Sequence, residues 1–429
     1  MNGLFVQVET QLSEFGLRPL SIAHQLGLDT VFLTNSAERY AGLAGYEPIL
    51  RGPGNRLIEA DTNSVAGVRD ALASLGPATV SGLFTICDYN LPIVATVCDQ
   101  LGLPGVAPQA ATLARNKHQC RGACARAGVR VPRFVHVTEP ASLAAAIDYV
   151  GLPCIVKPMT ESASVDVRLC GTWAQAQAHF SYIAGNRFDS RGQDRPLGAL
   201  VEEYALGYEV SVESVTVDGV VHIIGVTDKA LAGFPYFVET GDTFPSLLPE
   251  SVVAACGTAA EQALTAIGHD FGSAHTELRV TSDGPVLIEI NSRVGGDEIT
   301  DLVRHATGVD LLVQAVSAAQ GGKPDYTMTK ELAGAASRYL VSQAAGTVRA
   351  VNGTDLAARL PGVTEVDIKV HPGDPVAPPR SNHQILGHVV ATGQTAAEAA
   401  RRADTALAHI WLDVELEGQP ASSPAASDA

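Results

Sequence analysis

Apolar runs alternate with helical periodicity over the first 114 residues. Leu4–Val8 is a short apolar run. Leu17–Leu26 repeats apolar positions at helical spacing and stops at Gly27, and Thr30–Thr34 is apolar again, which makes one β-α-β unit. Asn63–Leu75 predicts a helix capped by Asn63 or Ser64. Thr79–Thr85 predicts a strand, and Pro92–Leu101 a helix ended by Gly102. These elements imply an open parallel sheet with covering helices. No G-x-G-x-x-G run is present, which disfavours a dinucleotide-binding reading.

The texture changes near Arg115. A helix is expected over Asn116–Ala127, ended by Gly128. Short strands follow at Arg133–Val137, Cys154–Lys157 and Ala199–Tyr204. Glu209–Val217 and Val220–Thr227 read as a hairpin turning at Asp218-Gly219. After an Ala-rich helix at Ser251–Ile267, a second hairpin joins Ala274–Val280 to Pro285–Asn291. The remainder mixes strands with an amphipathic helix at Ala396–Leu412. The pattern thus predicts an α/β chain with an α+β centre: an N-terminal open parallel sheet domain (1–114), a central domain (115–330), a C-terminal α+β domain (331–418) and a disordered tail (419–429).

Composition narrows the function. Hydrophobic residues make up 46% of the 429 and charged residues 17%, the balance of a packed globular protein. A formal net charge of −17 argues against a nucleic-acid partner. No apolar run reaches membrane-spanning length, and the N-terminus lacks a signal-peptide pattern. Seven scattered cysteines without a CxxC pair read as reduced thiols of a cytoplasmic protein.

The second hairpin carries the strongest chemical signal. With a three-residue loop, Ser282-Asp283-Gly284, Thr281 faces Pro285, Glu277 faces Glu289 and His275 faces Asn291. A side-chain period of two then puts His275, Glu277, Glu289, Asn291 and Arg293 on one face. Thr276, Leu278, Val280, Val286, Ile288 and Ile290 point to the core. Opposed carboxylates repel, so the pair calls for a cation between them or a proton on one. Oxygen-only donors favour Mg²⁺ or Mn²⁺. The plain alternative is a solvated acidic sheet face. Arg293 and Gly295-Gly296 weigh against it, because they suit close approach to a carboxylate or phosphate.

Two lysines follow. Lys157 ends an apolar strand, which is unusual for a surface charge, and precedes the small-residue loop TESASVD with Ser162 and Ser164. Lys117 starts the helix after LARN; alone it reads as a solvated helix lysine. Glu202 and Glu209 flank a bend at Gly207 that could hold a base and a sugar, with an ordinary edge hairpin as the alternative.

In this order the pieces resemble the ATP-grasp superfamily. RNKHQCRGACARAGVRVP resembles its opening helix, PCIVKP and the serine-rich loop its phosphate-covering segment, VEEYALGYEVSVE its adenine hinge, and HTELRV with VLIEINSRVGG its metal hairpin. TICDYNLPIVATVCDQLGLPGVAP and LGHVVATGQTAAEAARRADTAL look like its flanking domains. FGSAHTE, YFVETGDTFPS and NSRVGG look most like bacterial L-amino acid ligases. The resemblance implies ATP and Mg²⁺ (or Mn²⁺) as cofactors. Lys117, Lys157, Ser162 and Ser164 would face the phosphates, Glu202 through Ala205 adenine, and Glu209 ribose. Glu277, Glu289 and Asn291 would hold the metal, and Arg293 would orient the carboxylate or acyl phosphate. His275, Gly295, Gly296 and Asp297 would lie by the amino acid pocket, with His275 either an acid/base or a satisfied structural histidine. Lys229 is a pocket candidate, although it reads better as a solvated turn lysine.

Two departures stand out. The phosphate loop lacks the glycines many relatives carry, and Asp297 stands where some dipeptide ligases place a bulky aromatic. An acid there suits a cationic amine acceptor. The implied reaction activates a carboxylate as an acyl phosphate and joins it to an amine, releasing ADP and phosphate, under a mobile lid that excludes water. Both substrates are small molecules, and a homodimer is the default assembly. The rivals are another ATP-grasp chemistry, such as a carboxylase or a non-peptide biosynthetic ligase, and a nucleotide-binding regulator without turnover.

Overall fold

The computed structural model of the chain describes residues 3–43, 46–52, 54–76 and 80–416, and counts below refer to these residues. The expected disordered tail lies outside them, as does the first residue of the strand expected at Thr79–Thr85.

Strands β1 (Leu4–Val8), β2 (Asp29–Thr34), β3 (Asn55–Glu59) and β4 (Val80–Phe84) form a parallel sheet in the order β3-β2-β1-β4, as the alternating pattern implied. Leu4, Val6, Val8, Val31 and Leu33 pack one face against the helices Val65–Ser74 and Leu91–Leu101. Of the two expected caps Ser64 is the real one: its hydroxyl accepts from the N–H of Gly67.

A smaller antiparallel sheet joins β5 (Phe134–Val137), β6 (Cys154–Lys157), β7 (Arg168–Cys170) and β8 (Ala199–Glu203) in the order β5-β8-β6-β7. The largest sheet begins with β9 (Tyr208–Val217), β10 (Val220–Ala232), β11 (Val238–Phe244), β12 (Gly272–Thr281) and β13 (Gly284–Asn291). It does not stop at the expected boundary near residue 330. Strands β14 (Gly334–Leu340), β16 (Val363–Ile368) and β18 (Gly387–Gly393) extend it to eight, in the order β13-β12-β9-β10-β11-β14-β18-β16. A three-stranded sheet of β15 (Gly346–Asn352), β17 (Pro375–Val376) and β19 (Trp411–Leu416) completes the C-terminal part.

Two local expectations are corrected. The C-terminal helix spans Ala396–Ala408 rather than reaching Leu412. Trp411–Leu416 instead pairs with β15, and exposed and half-buried positions alternate over Trp411–Glu415, a period of two. In the second hairpin Thr281 pairs with Gly284, not Pro285, so only Ser282 and Asp283 lie outside the ladder. The register is restored by a bulge farther in. Leu278 pairs with Leu287 while Glu277 pairs with Glu289, leaving Ile288 as the extra residue. Ile288 therefore lines the cleft described below instead of the core, and Leu287 takes the core position.

Candidate active site

One cleft of about 380 Å³ opens between the small sheet, the large sheet and the parallel N-terminal sheet. Its floor is the large sheet, and the register assembles it in rows. His275 pairs with Asn291 on one side and Glu213 on the other. In the next row Glu277 lies between Glu289 and Ser211. In the third, Arg279, Glu209, Lys229 and Asp242 follow one another across β12, β9, β10 and β11. Alternation along each strand keeps these side chains on one face.

The donor set expected for a metal is thus brought together: Glu277, Glu289 and Asn291 all line the cleft. Lys117 Nζ lies 2.8 Å from Glu289 Oε1, and His275 Nε2 lies 3.3 Å from Glu277 Oε1. The Asn291 side chain, 8% exposed, faces the cleft. Two carboxylates and an amide oxygen fit a hard divalent cation.

His275 is held more firmly than its sequence context showed. Its Nδ1 sits 3.0 and 3.1 Å from the oxygens of Glu213, which also accepts from Ser211 at 2.7 Å. Burial opposes a charge on His275, but Glu213 outweighs it and, with Glu277, pushes the imidazole up to about 10. Burial likewise opposes ionisation of Glu277, whose pKa is nonetheless pulled down to about 2 by His275 and Lys229. At neutral pH this reads as an imidazolium clamped between carboxylates.

Asn116 caps the helix Lys117–Arg126 through its side chain, which accepts from Gln119 N–H. The backbone N–H of Lys117 donates to Met159 O at 3.0 Å, and its Nζ donates to Glu161 O at 2.6 Å. These bonds tie the helix start to the loop after β6. Four residues on, the same helix face delivers Arg121. Its guanidinium is fully buried, ion-paired with Glu202 and bonded to Ile288 O at 2.5 Å. Lys157 Nζ completes a triad at 2.6 Å from Glu202. Burial lowers the pKa of Lys157; Glu202 stays below its ordinary value because the two cations outweigh its own burial. Glu202 lines the cleft, but its carboxylate is engaged below it; Ala205 lines the cleft wall beyond the strand. Glu209 is bound to Arg279 at 2.8 Å, with its pKa raised by burial.

Ser162 and Ser164 line the cleft. The missing glycines leave a mark: Ala163, Ser164 and Asp166 adopt positive φ of 55°, 57° and 58°. L-residues enter that region at a cost of roughly 1–2 kcal/mol each. The loop lies across the cleft, and Asn382 N–H donates to Ala163 O at 3.1 Å. Asn382 also exchanges hydrogen bonds with Glu239, at 3.1 and 2.9 Å.

Lys229 is corrected from a solvated turn lysine to a buried strand residue of the cleft, 7% exposed. The expected strand stopped at Thr227, whereas β10 runs to Ala232. Lys229 Nζ lies 2.8 Å from Glu239 and 3.8 Å from Asp242. Burial would lower its pKa, but these carboxylates hold it well above its ordinary value. Burial raises Glu239 to about 7.

Arg293 leaves the hairpin and crosses to the N-terminal domain. Its Nε and Nη2 fork onto Asp88 at 2.7 and 2.6 Å, and Nη1 donates to Val294 O at 2.8 Å. Gly296 and Asp297 line the cleft; Gly295 packs beneath, where a Cβ would come within 2.8 Å of Ile299. Asp297 is exposed at φ 48°. Asp88, Glu213, Arg121, Glu161 and Asn382 escaped the sequence reading. Two were within reach of it: Arg121 lies one helical turn from Lys117, and Asp88 lies just past the carboxyl end of β4, where open α/β sheets place ligands.

Comparison with known proteins places two segments of the chain in families. Residues 150–301 match the ATP-grasp domain family, which defines the class: an ATP-grasp protein. Residues 338–415 match the family described as L-amino acid ligase C-terminal domain 2. The fold resembles the crystal structure of an L-amino acid ligase from Bacillus licheniformis, with a TM-score of 0.79 over 96% of this chain and 99% of that one at 20% identity. Alanine--anticapsin ligase of Bacillus subtilis is 28% identical over 262 residues, 57% of this chain and 55% of its own. Carnosine synthase 1 of Gallus gallus is 33% identical over 251 residues, 55% of this chain and 27% of its own. Residues 150–301 thus belong to the ATP-grasp domain family, and residues 338–415 to that of L-amino acid ligase C-terminal domain 2.

Proposed function

We propose that the chain is an ATP-dependent carboxylate-amine ligase that joins amino acids or amino-acid-like substrates. The observation that carries this reading is the convergence of Lys117, Lys157, His275, Glu277, Glu289, Asn291 and Arg293 on one cleft. Glu277, Glu289 and Asn291 would hold Mg²⁺ or Mn²⁺, which supplies charge neutralisation for the nucleotide phosphates.

In the proposed reaction a carboxylate oxygen attacks the γ-phosphorus of ATP, giving an acyl phosphate and ADP. An amine then attacks the acyl carbon and phosphate leaves. This chain's residues position and neutralise. Lys117 and Lys157 face the phosphates with Ser162 and Ser164. Arg293, fixed by Asp88, keeps two guanidinium N–H groups for the acyl phosphate. His275, held charged by Glu213, favours electrostatic stabilisation over proton transfer. Glu209 takes the ribose and Ala205 the adenine edge. The loop latched at Ala163 keeps water from an intermediate that hydrolyses. Seven buried free cysteines accord with a cytoplasmic setting.

For the acceptor we propose a cationic amine, because the carboxylate of Asp297 lies close enough to Glu239 and Asp242 to raise their pKa, while Lys229 pairs with Glu239 and Asp242 and leaves Asp297 free for an ammonium group. The test is a screen of paired amino acids with ATP that reads phosphate release and product mass. ADP formed only with two amino acids supports the reading. AMP formation, or turnover with bicarbonate alone, overturns it.

A further inference from the structure

A second group of donors stands apart from the metal hairpin, where the C-terminal strands meet the segment after the double glycine. Glu298 precedes the helix Ile299–Thr307, Glu365 lies on β16 and His388 on β18. One oxygen or nitrogen from each lies within 4.8 Å of the others. His388 Nε2 is 3.4 Å from Glu298 Oε1 and 3.3 Å from Glu365 Oε1.

Two features distinguish this group from an ordinary ion pair. The His388 side chain is only 6% exposed, and its Nε2, aimed between the carboxylates, makes no hydrogen bond among the described residues. Apart from His388, neither carboxylate has a hydrogen-bond or ion-pair partner among those residues. The spacing has a chemical reading. Ligands about 2.0–2.1 Å from a zinc ion are separated by about 3.3 Å along a tetrahedral edge. One imidazole and two carboxylates are a zinc-type donor set, unlike the oxygen-only set of Glu277, Glu289 and Asn291. Asp367 Oδ2 lies 3.9 Å from His388 Nδ1, which adds a third carboxylate near the ring without a hydrogen bond to it.

We infer that Glu298, Glu365 and His388 form a second divalent-cation site, of the zinc class, that ties the Gly295–Asp297 segment to the C-terminal strands. Glu298 and His388 line the cleft, so the fourth position opens toward it. The site stands whether or not the ligase reading does.

The test uses the full chain with Glu277→Gln, which silences the oxygen-ligand site. After chelation and dialysis against Zn²⁺, metal content and thermal unfolding are measured. One zinc per chain and a Tm raised by zinc are expected. Adding Glu365→Gln or His388→Gln should weaken zinc binding by at least about tenfold and remove the Tm rise. Glu365 is half-exposed on an edge strand, so its variant stays folded if the histidine variant does not. Zinc bound equally well without Glu365, or no zinc bound at low-millimolar concentration, overturns the site and leaves an ion-paired histidine.

Discussion

Asp88 and Arg293 join the N-terminal parallel sheet to the end of the β12–β13 hairpin through a two-point fork, with contacts of 2.7 and 2.6 Å and both side chains about nine-tenths buried. A planar fork fixes orientation as well as charge. Asp88→Asn keeps the shape but loses the carboxylate. We expect kcat/KM for ligation to fall by about 10²-fold through misplacement of Arg293, with the fold retained by circular dichroism. Phosphate release at saturating ATP measures it; wild-type turnover in the variant would detach Arg293 from Asp88.

Much of this arrangement could be read from the chain. The Glu277–Glu289 and His275–Asn291 pairings follow from side-chain alternation and hold in the structure. They hold for a different reason than the turn suggested. The loop is a residue shorter, and the bulge at Ile288 compensates inside the strand. A bulge has no residue signature there, so Ile288 was assigned to the core. Lys229 read as a turn lysine because the expected strand ended at Thr227, whereas β10 continues five residues further, through the polar Asp228-Lys229 pair to Ala232. Asp88 and Glu213 act across sequence separations of 205 and 62 residues, which local pattern does not encode.

The metal hairpin predicts a charge-dependent loss. Glu277→Gln or Glu289→Gln removes a carboxylate from the proposed ligand set and weakens its pairing with His275 or Lys117. Activity is expected to fall by about 10²–10³-fold. Raising Mg²⁺ should partly restore it if ligation, rather than the protein pairs, is what was lost. An Mg²⁺ titration of both variants decides; full activity at ordinary Mg²⁺ would dismiss these glutamates as ligands.

The Arg121–Glu202–Lys157 triad predicts a stability effect beneath the cleft. Arg121 is fully buried and bonded to Glu202 and Ile288 O. Arg121→Met leaves one buried cation for Glu202 and an unsatisfied carbonyl. The expected loss is about 3–5 kcal/mol, measured by denaturant unfolding. A loss under about 1 kcal/mol, the value of an exposed pair, would show that water reaches the triad.

Asp297 predicts selectivity rather than rate. Replacing it by Asn should raise KM for basic acceptors about tenfold and leave neutral acceptors within about twofold, since only the charged partner loses a Coulomb attraction. Equal changes for both acceptor classes would remove Asp297 from recognition.

His269 predicts an acid-sensitive fold away from the cleft. It is 4% exposed, with Nδ1 2.9 Å from Thr216 Oγ1, and its Nε2 has no hydrogen-bond partner among the described residues. Burial lowers its pKa to about 4, against an ordinary 6.5. Between these values the unfolded chain takes up a proton that the folded chain refuses. Its contribution is therefore complete above pH 6.5, declines as pH falls, and is exhausted near pH 4. The full gap corresponds to about 3 kcal/mol at most. His269→Gln should flatten the pH dependence of unfolding free energy across this window relative to the unsubstituted chain. Parallel curves for the two proteins would mean that His269 already carries its proton in the folded state, or that water solvates it there.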